Sequence, residues 1–400
     1  MGLILNWQKH KLLTAALAVV VGVSLGAVLY GASHLLRGHQ AAQQTGSPAA
    51  GSGSQAERTI DEQVDQLMAG MKTTEKVGQL VMIGIHGTDV TEDSLYMLHQ
   101  FHYGGVILFD RNLESQDQIR ELTQHLQAHA EEKAPLFIAI DQEGGDVARG
   151  KGILEVPPSQ LEVGRSGKPE RAEELAQQTG TQLHDLGINV NFAPVTDVGS
   201  PDRRSFSKDP QQVKAFVQAA GRGYARAHEI YALKHFPGIG RGRVDSHQEI
   251  SSIEASREQL QQSDLVPFQA MIQQDKGEGD FFVLVSHLRY PALDAEHPAS
   301  QSKAIMTDLL RQQLGFQGII ITDDMEMGAV AKHGSYRDMG VKAILAGADM
   351  VMMCHEYQHE QDIYMGILDA VNDGTISEER LNASVRRILR AKLLHLQPQT

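Results

Sequence analysis

The sequence has little of the chemistry that supports disulfide-bonded, thiolate-metal or nucleic-acid-binding proteins. Its 400 residues include a single cysteine, Cys354, so neither a disulfide framework nor a thiolate zinc site is available. Basic residues are also few, with 36 Lys and Arg against 50 Asp and Glu, and the formal net charge is -14. Because nucleic acids are bound largely through their phosphates, this charge argues against a nucleic-acid partner. Neither a phosphate loop nor a dinucleotide fingerprint occurs, and we expect no cofactor.

One stretch lacks charged residues for long enough to cross a membrane. Leu12–Leu36 contains no Asp, Glu, Lys or Arg over 25 residues. Lys9 and Lys11 precede it and only Arg37 directly follows, which predicts a cytoplasmic N terminus and an outward-facing remainder. We therefore expect an uncleaved single-pass membrane anchor. A cleaved signal peptide, with secretion of the rest of the chain, is the alternative.

Composition divides the chain into four segments. Residues 1–11 form the predicted cytoplasmic N terminus and residues 12–36 the anchor. Residues 37–57 are rich in Gly, Ala, Ser and Gln without apolar periodicity, which is typical of a flexible linker. Residues 58–400 form the predicted folded domain, and their apolar content is sufficient for a large core.

Within that domain, short apolar segments alternate with longer amphipathic ones. The predicted strands are Gln79–Ile85, Gly104–Phe109, Leu136–Ile140, Ile188–Phe192, Ile230–Leu233, Phe282–Val285, Gly318–Ile321 and Asp349–Met353. Two helices have clear end signals: one runs from Pro169 to Leu186 before Gly187, and the last is capped by Ser377. This alternation predicts a (β/α)8 barrel, and an open doubly wound sheet is the alternative.

The position of the polar residues favours the barrel. Charged and polar side chains follow five neighbouring predicted strands, at the end where a barrel places its active site. These clusters are Asp141–Arg149, Ala193–Asp197 with Arg203–Phe206, Lys234–His247, Ser286–His287 and Thr322–Gly328. We therefore expect one polar site, assembled at the carboxyl ends of the strands.

The loop after the fifth predicted strand carries the densest set of reactive groups. It reads Lys-His-Phe-Pro-Gly-Ile-Gly from Lys234 and reaches Asp-Ser-His at Asp245. A carboxylate two residues from an imidazole can hold one ring nitrogen and raise the basicity of the other. Asp245 and His247 are therefore a candidate proton-transfer pair.

This loop resembles the Lys-His-Phe-Pro-Gly-His-Gly…Asp-Ser-His signature of the β-N-acetylglucosaminidases of glycoside hydrolase family 3. Four residues separate Gly240 from Asp245, as the family pattern requires. The segment from Thr322 to Met327 is similar to the family's Ser/Thr-Asp-Asp-Leu-x-Met motif, with Met325 in place of Leu. The resemblance covers roughly Met71 to the C terminus. It implies a single-domain barrel that removes terminal, non-reducing β-linked N-acetylglucosamine.

The resemblance also implies roles for individual residues. Asp323 matches the nucleophile, which forms a covalent glycosyl intermediate in a retaining reaction, and Asp324 and Glu326 remain competing carboxylates. His247, oriented by Asp245, matches the acid/base residue. The residues expected to hold sugar hydroxyls are Asp141, Arg149, Arg204, Lys234 and His235.

Two positions depart from the family pattern and would support a binding function without turnover, whereas the histidine acid/base, which would ease the approach of an anion, keeps a phosphorylase open. Ile239 stands where the family usually has His, and Asp146 where it usually has Arg. A membrane-tethered glycan-binding protein without turnover is one alternative function. The other is a β-N-acetylglucosaminide phosphorylase, in which phosphate replaces water. The expected substrate is a cell-wall fragment, such as a muropeptide, or a chitin-type oligosaccharide.

A second histidine pattern suggests metal chemistry. His355-Glu-Tyr-Gln-His359 fits the His-Glu-x-x-His zinc motif, which requires both histidines on one helix face. The motif directly follows the last predicted strand, so we expect it to begin in a loop, and we predict no metal site.

Overall fold

The structure, a computed structural model, describes residues 59–130, 134–242, 251–275, 281–328 and 334–396. Within these ranges no helix has both the length and the apolar character needed to span a bilayer. The predicted anchor at residues 12–36 and the linker at 37–57 lie outside the described residues. Both therefore stay predictions.

Eight parallel strands close into a barrel. In chain order, the strands of the barrel and of a separate two-stranded sheet are β1 Val81–Gly84, β2 Gly105–Leu108, β3 Phe137–Ile140, β4 Val190–Asn191, β5 Ile230–Phe236, β6 Phe281–Val285, β7 Arg289–Tyr290, β8 Asp294–Pro298, β9 Ile320–Asp324 and β10 Met350–Met353. The barrel order is β1-β10-β9-β6-β5-β4-β3-β2, and β7 and β8 form a separate antiparallel pair. Val81 pairs with Val351 to close the ring. The predicted (β/α)8 barrel is confirmed, and the open doubly wound alternative is wrong.

Helices surround the barrel. The α-helical segments are Ile60–Ala69, Thr73–Gln79, Glu92–Phe101, Gln116–Ala128, Gln160–Arg165, Pro169–Asp185, Pro210–Arg226, Arg257–Gln259, Leu265–Gln274, Tyr336–Ala346, Tyr357–Asn372 and Glu378–His395, with π-helical segments at Leu260–Asp264 and Ala304–Gln313. Both predicted end signals are confirmed. Gly187 has φ +75° after the helix that begins at Pro169, and Ser377 Oγ accepts a hydrogen bond from Arg380 N at 3.2 Å.

The barrel interior is filled with apolar side chains, which hold the strand ends in fixed positions. Phe137 on β3 and Phe282 on β6 meet edge to face across it, with ring centroids 5.1 Å apart. Burying one such side chain contributes about 1.5–3 kcal/mol, so the packed barrel forms a rigid support. Polar groups at the carboxyl ends of the strands therefore occupy well-defined positions.

Two strands are longer than the apolar pattern indicates. The strand β5 continues through Lys234 and His235 to Phe236, and β9 continues through Asp323 to Asp324. Predicted strands ended at the last apolar residue, whereas backbone pairing with the neighbouring strands continues beyond it. Several candidate site residues therefore lie on barrel strands and not on loops.

Candidate active site

A buried network of ion pairs lies at the carboxyl ends of β3 and β5. Lys234 Nζ is 2.7 Å from Asp141 Oδ1 and 2.6 Å from Glu143 Oε1. Arg204 donates to both oxygens of Glu143 through Nε and Nη2, each at 2.8 Å. The Lys234 side chain is only 4% exposed and that of Glu143 only 1%. Asp141, Lys234 and Arg204, predicted from sequence, are thus brought together around Glu143.

The cations keep both carboxylates of this network ionised. Burial raises the pKa of Glu143, but Lys234 and Arg204 outweigh burial and hold that pKa at about 2. Burial likewise opposes ionisation of Asp141, yet Lys234 keeps its pKa below the usual range. The site therefore presents fixed charges that can accept hydrogen bonds from sugar hydroxyls without reorganising.

Asp197 fixes the orientation of His235. His235 Nδ1 lies 2.7 Å from Asp197 Oδ2, and the backbone N–H groups of His235 and Ile239 donate to Asp197 Oδ1 at 3.2 and 2.8 Å. Arg204 Nη2 lies 3.3 Å from His235 Nε2. Because a guanidinium can only donate, we assign the imidazole proton to Nδ1 and the acceptor role to Nε2.

Arg149 joins the network from the loop after β3. Its Nη2 lies 3.3 Å from Asp141 Oδ2, and its Nη1 lies 3.7 Å from Asp110 Oδ2. The five predicted sugar-binding residues therefore form one connected group. Asp245 and His247, the predicted proton-transfer pair, lie in residues 243–250, outside the described residues.

The predicted nucleophile lies at the end of β9. Asp324 N donates to Asp323 Oδ1 at 2.9 Å, and His287 Nε2 donates to the Asp324 carbonyl at 2.9 Å. His287 Nδ1 accepts from Ser300 Oγ at 2.7 Å, so the buried imidazole is held from its other side while Nε2 supports the strand end. His287 therefore holds the carboxyl end of β9 in place.

The competing carboxylates are already engaged with other groups. Asp324 Oδ2 lies 3.2 Å from His355 Nε2, and Glu326 Oε1 lies 2.6 Å from His359 Nδ1. The second oxygen of Glu326 accepts two backbone N–H groups, from Cys354 at 2.9 Å and from His355 at 2.6 Å. Within the described part of the chain, Asp323 is the one carboxylate of the three without a side-chain partner. This geometry favours Asp323 over both competitors.

Asp324, Glu326 and His355 carry the side-chain types that bind metal ions. Ligand atoms of Asp324, Glu326 and His355 all lie within 4.8 Å of one another. However, Arg111 Nη1 lies 3.3 Å from His355 Nδ1, so this nitrogen must be an acceptor and the proton is on Nε2, the atom that a metal would need. The arrangement fits a hydrogen-bonded cluster better than a ligand set.

The zinc-like motif lacks the required helical geometry. The helix Tyr357–Asn372 begins two residues after His355, so His355 lies in the loop after β10, as expected from the sequence. His359 is on the helix, and its imidazole contacts Glu326. The two histidines therefore do not share one helix face.

A buried acid beside this cluster gives a prediction for stability. Glu360 is 0% exposed, and burial, reinforced by the charge of Glu326, raises its pKa from 4.5 to about 9. A raised folded-state pKa opposes folding increasingly as pH rises from the unfolded value towards the folded one. The cost grows by about 1.4 kcal/mol for each pH unit above the unfolded value of 4.5. Glu360→Gln, which removes this cost, should therefore stabilise the protein by roughly 3 kcal/mol at pH 7.

Urea denaturation of the Glu360→Gln variant at several pH values checks this. The stability gain should grow between pH 4.5 and 9 and vanish below pH 4.5. The exposed Glu258→Gln substitution is the matched control and should change little, because Glu258 is fully solvated. A difference in stability between Glu360→Gln and the wild type that did not change with pH would contradict the expected protonation of Glu360.

Comparison with known proteins agrees with the barrel fold. Residues 72–391 match the family described as Glycosyl hydrolase family 3 N terminal domain. The chain belongs to glycoside hydrolase family 3. It is 36% identical over 287 residues to a β-hexosaminidase of Stenotrophomonas maltophilia, covering 69% of this chain and 83% of the relative.

Two longer proteins are also similar. The chain is 35% identical over 326 residues to β-hexosaminidase A of Pseudoalteromonas piscicida, covering 74% of this chain but 54% of that relative. A family 3 β-N-acetylglucosaminidase structure from Paenibacillus sp. matches with a TM-score of 0.78 and 36% identity, covering 82% of this chain and 63% of that one. The chain thus spans only 54% and 63% of the lengths of these two proteins.

Two site residues, Glu143 and Asp197, fall within the predicted polar clusters but were given no individual role from the sequence. Glu143 lies two residues after Asp141, a spacing that places both side chains on one side of an extended segment, and this was the available signal. Asp197 follows β4, and its role is visible only once β4 and β5 are neighbours in the barrel. Both residues act by holding other site residues.

Proposed function

We propose that the protein is a retaining exo-β-N-acetylglucosaminidase that removes terminal β-linked N-acetylglucosamine. The observation that carries the proposal is Asp323 at the end of β9, without a side-chain partner in the described part of the chain, at the strand ends that also carry the ionised Asp141 network. A carboxylate that no other side chain engages is available to act as a covalent nucleophile. The names of the family 3 relatives support the choice of sugar.

In the proposed mechanism, the carboxylate of Asp323 attacks the anomeric carbon while His247 protonates the departing glycosidic oxygen. The glycosyl-Asp323 ester is then hydrolysed by a water that loses its proton to His247, which restores both residues. Asp245 holds the His247 imidazole in both steps. The Asp141–Lys234–Glu143–Arg204 network orients the sugar through fixed charges.

We also propose that residues 12–36 anchor the enzyme in the membrane, with residues 58–400 outside the cytoplasm. An outward-facing position would supply cell-wall fragments, such as muropeptides, as natural substrates. The charge-free length of this segment and the lysines that precede it support this location.

A chromogenic β-N-acetylglucosaminide tests the proposed activity. We expect the purified chain to release N-acetylglucosamine, with equal rates in phosphate and in phosphate-free buffer. A sugar 1-phosphate product would identify a phosphorylase. Sugar binding without turnover would identify the tethered glycan-binding protein.

A further inference from the structure

A hairpin outside the barrel contacts the loop after β5 at two places in the sequence. Its strands, β7 and β8, pair antiparallel with each other and are not part of the barrel. The loop begins after Phe236, and its proposed proton-transfer pair, Asp245 and His247, lies in residues 243–250, outside the described ranges. The hairpin contacts the chain on both sides of that pair, before residue 243 and after residue 250.

The side chain of Tyr290, on β7, holds the first end of the loop. Its hydroxyl donates to the Gly238 carbonyl at 2.9 Å and lies 3.3 Å from Ser286 Oγ. Because the single phenol proton is used on Gly238, Ser286 must be the donor in the second contact. Tyr290 is fully buried, and burial raises the pKa of its phenol well above the usual range. The phenol therefore stays neutral and keeps its proton for Gly238.

An ion pair holds the same end of the loop from another side. Arg241 Nε donates to Asp264 Oδ2 at 2.9 Å, and the Asp264 side chain is fully buried. Asp264 ends the π-helical segment Leu260–Asp264. A methyl group placed on Gly238 would lie 2.9 Å from Asp264 Cβ, so the turn packs directly against this segment. The turn Gly238–Gly242 is thus fixed by groups from β7 and from the π-helical segment.

The backbone of β7 holds the second end of the loop. Arg289 N donates to the Ser251 carbonyl at 3.0 Å, and Ile253 N donates to the Arg289 carbonyl at 2.8 Å. Arg289 and Tyr290 are neighbours on the same strand, so one short strand binds the chain before and after the proposed pair. His247 follows Gly242 by five residues and precedes Ser251 by four. Because a chain segment has a limited reach, the two held ends restrict where this imidazole can lie.

We propose that Tyr290 is a positioning residue for proton transfer by His247, because its hydrogen bond to Gly238 fixes one end of the chain segment that carries this imidazole. The Arg241–Asp264 ion pair supports the same end. This inference rests on the proposed function. Loss of the Tyr290 hydroxyl should displace the acid from the departing oxygen, and proton transfer depends steeply on that distance. Sugar binding by the Asp141 network should suffer less.

The test compares two aryl β-N-acetylglucosaminides that differ in their need for an acid. The 4-nitrophenolate anion leaves readily, whereas phenolate depends on protonation by the acid. Tyr290→Phe removes only the hydroxyl, and we expect it to lower kcat/KM roughly tenfold on the phenyl substrate but no more than about twofold on the 4-nitrophenyl substrate. Arg241→Met should change the ratio in the same direction, and Arg241→Lys, which keeps the charge, should restore part of it.

A second buried tyrosine provides the matched control. The Tyr364 hydroxyl donates to the Thr74 carbonyl at 3.1 Å, between two helices outside the barrel. Tyr364→Phe therefore loses the same kind of hydrogen bond and should leave the ratio of kcat/KM values for the two substrates unchanged.

The outcomes separate a positioning role from a structural one. Equal losses of kcat/KM on both substrates in Tyr290→Phe, or kinetics like those of the wild type, would overturn the positioning role. Failure of the wild-type chain to cleave either substrate would instead reject the proposed function. Arg241 is partly exposed, so its two variants test the same end of the loop if thermal unfolding shows that Tyr290→Phe does not fold.

Discussion

Replacing Asp323 by Asn is expected to lower kcat on a chromogenic β-N-acetylglucosaminide by roughly 10^3-fold or more. An amide of the same shape keeps the packing at the end of β9, but it cannot form the glycosyl ester on which the retaining mechanism depends. KM should change far less, because the charged groups that orient the sugar remain in place. Steady-state kinetics of the purified variant measure both parameters.

The neighbouring carboxylates provide the matched controls for Asp323→Asn. Asp324→Asn should cost much less activity, since Asp324 contacts His355 and the change keeps a polar atom within reach of that imidazole. Glu326→Gln should act mainly on stability, because both Glu326 oxygens hold the segment from Cys354 to His359. If Asp323→Asn retained activity while Asp324→Asn abolished it, Asp324 would be the nucleophile.

Replacing Lys234 by Met is expected to destabilise the protein by about 3 kcal/mol, the low end for a broken buried ion pair, because it removes the buried cation that two carboxylates share while Arg149 and Arg204 still contact one each. Lys234 contacts both Asp141 and Glu143, and Arg204 still reaches Glu143 but not Asp141 in this geometry. Urea denaturation at neutral pH measures the loss. Lys168→Met, at an exposed position before a helix, is the control and should be within about 0.5 kcal/mol of the wild type.

The pH dependence of stability tests the same network independently. The pKa of Glu143 is depressed to about 2 in the folded protein, so its ionisation adds stability above pH 4.5 that is lost as the pH falls towards 2. Glu143→Gln should remove this part of the acid transition. In Lys234→Met, the pH range over which this stability is lost should shift upwards, since the main cation beside Glu143 is gone. A Lys234→Met variant as stable as the wild type would show that the ion pairs contribute little.

The barrel could be predicted because its determinants are local. Each of the eight apolar segments contains or overlaps a barrel strand, and Pro169, Gly187 and Ser377 mark helix ends through their own backbone and side-chain chemistry. Strand ends were harder to predict. Lys234 and Asp323 are polar, yet backbone pairing with adjacent strands keeps them extended, and composition alone does not report that pairing.

The candidate site was predicted as a set of residues but not as a network. Sequence motifs indicated Asp141, Lys234 and Arg204, whereas the central position of Glu143 depends on distances between β3, β5 and the loop after β4. Asp197 likewise acquires its role only through the neighbouring strand. The assignment of Asp245 and His247 still rests on their motif and stays a prediction.

The covalent intermediate on Asp323 is the central claim, and trapping it is the most direct test. The purified chain would be incubated with a 5-fluoro-N-acetylglucosaminyl fluoride, which forms the glycosyl ester faster than it is hydrolysed, and digested for mass spectrometry. We expect the added sugar mass on the peptide containing residues 320–324, with fragmentation placing it on Asp323 and no label in Asp323→Asn. Label on Asp324 or Glu326, or release of product with inverted configuration and no labelled peptide, would contradict the account.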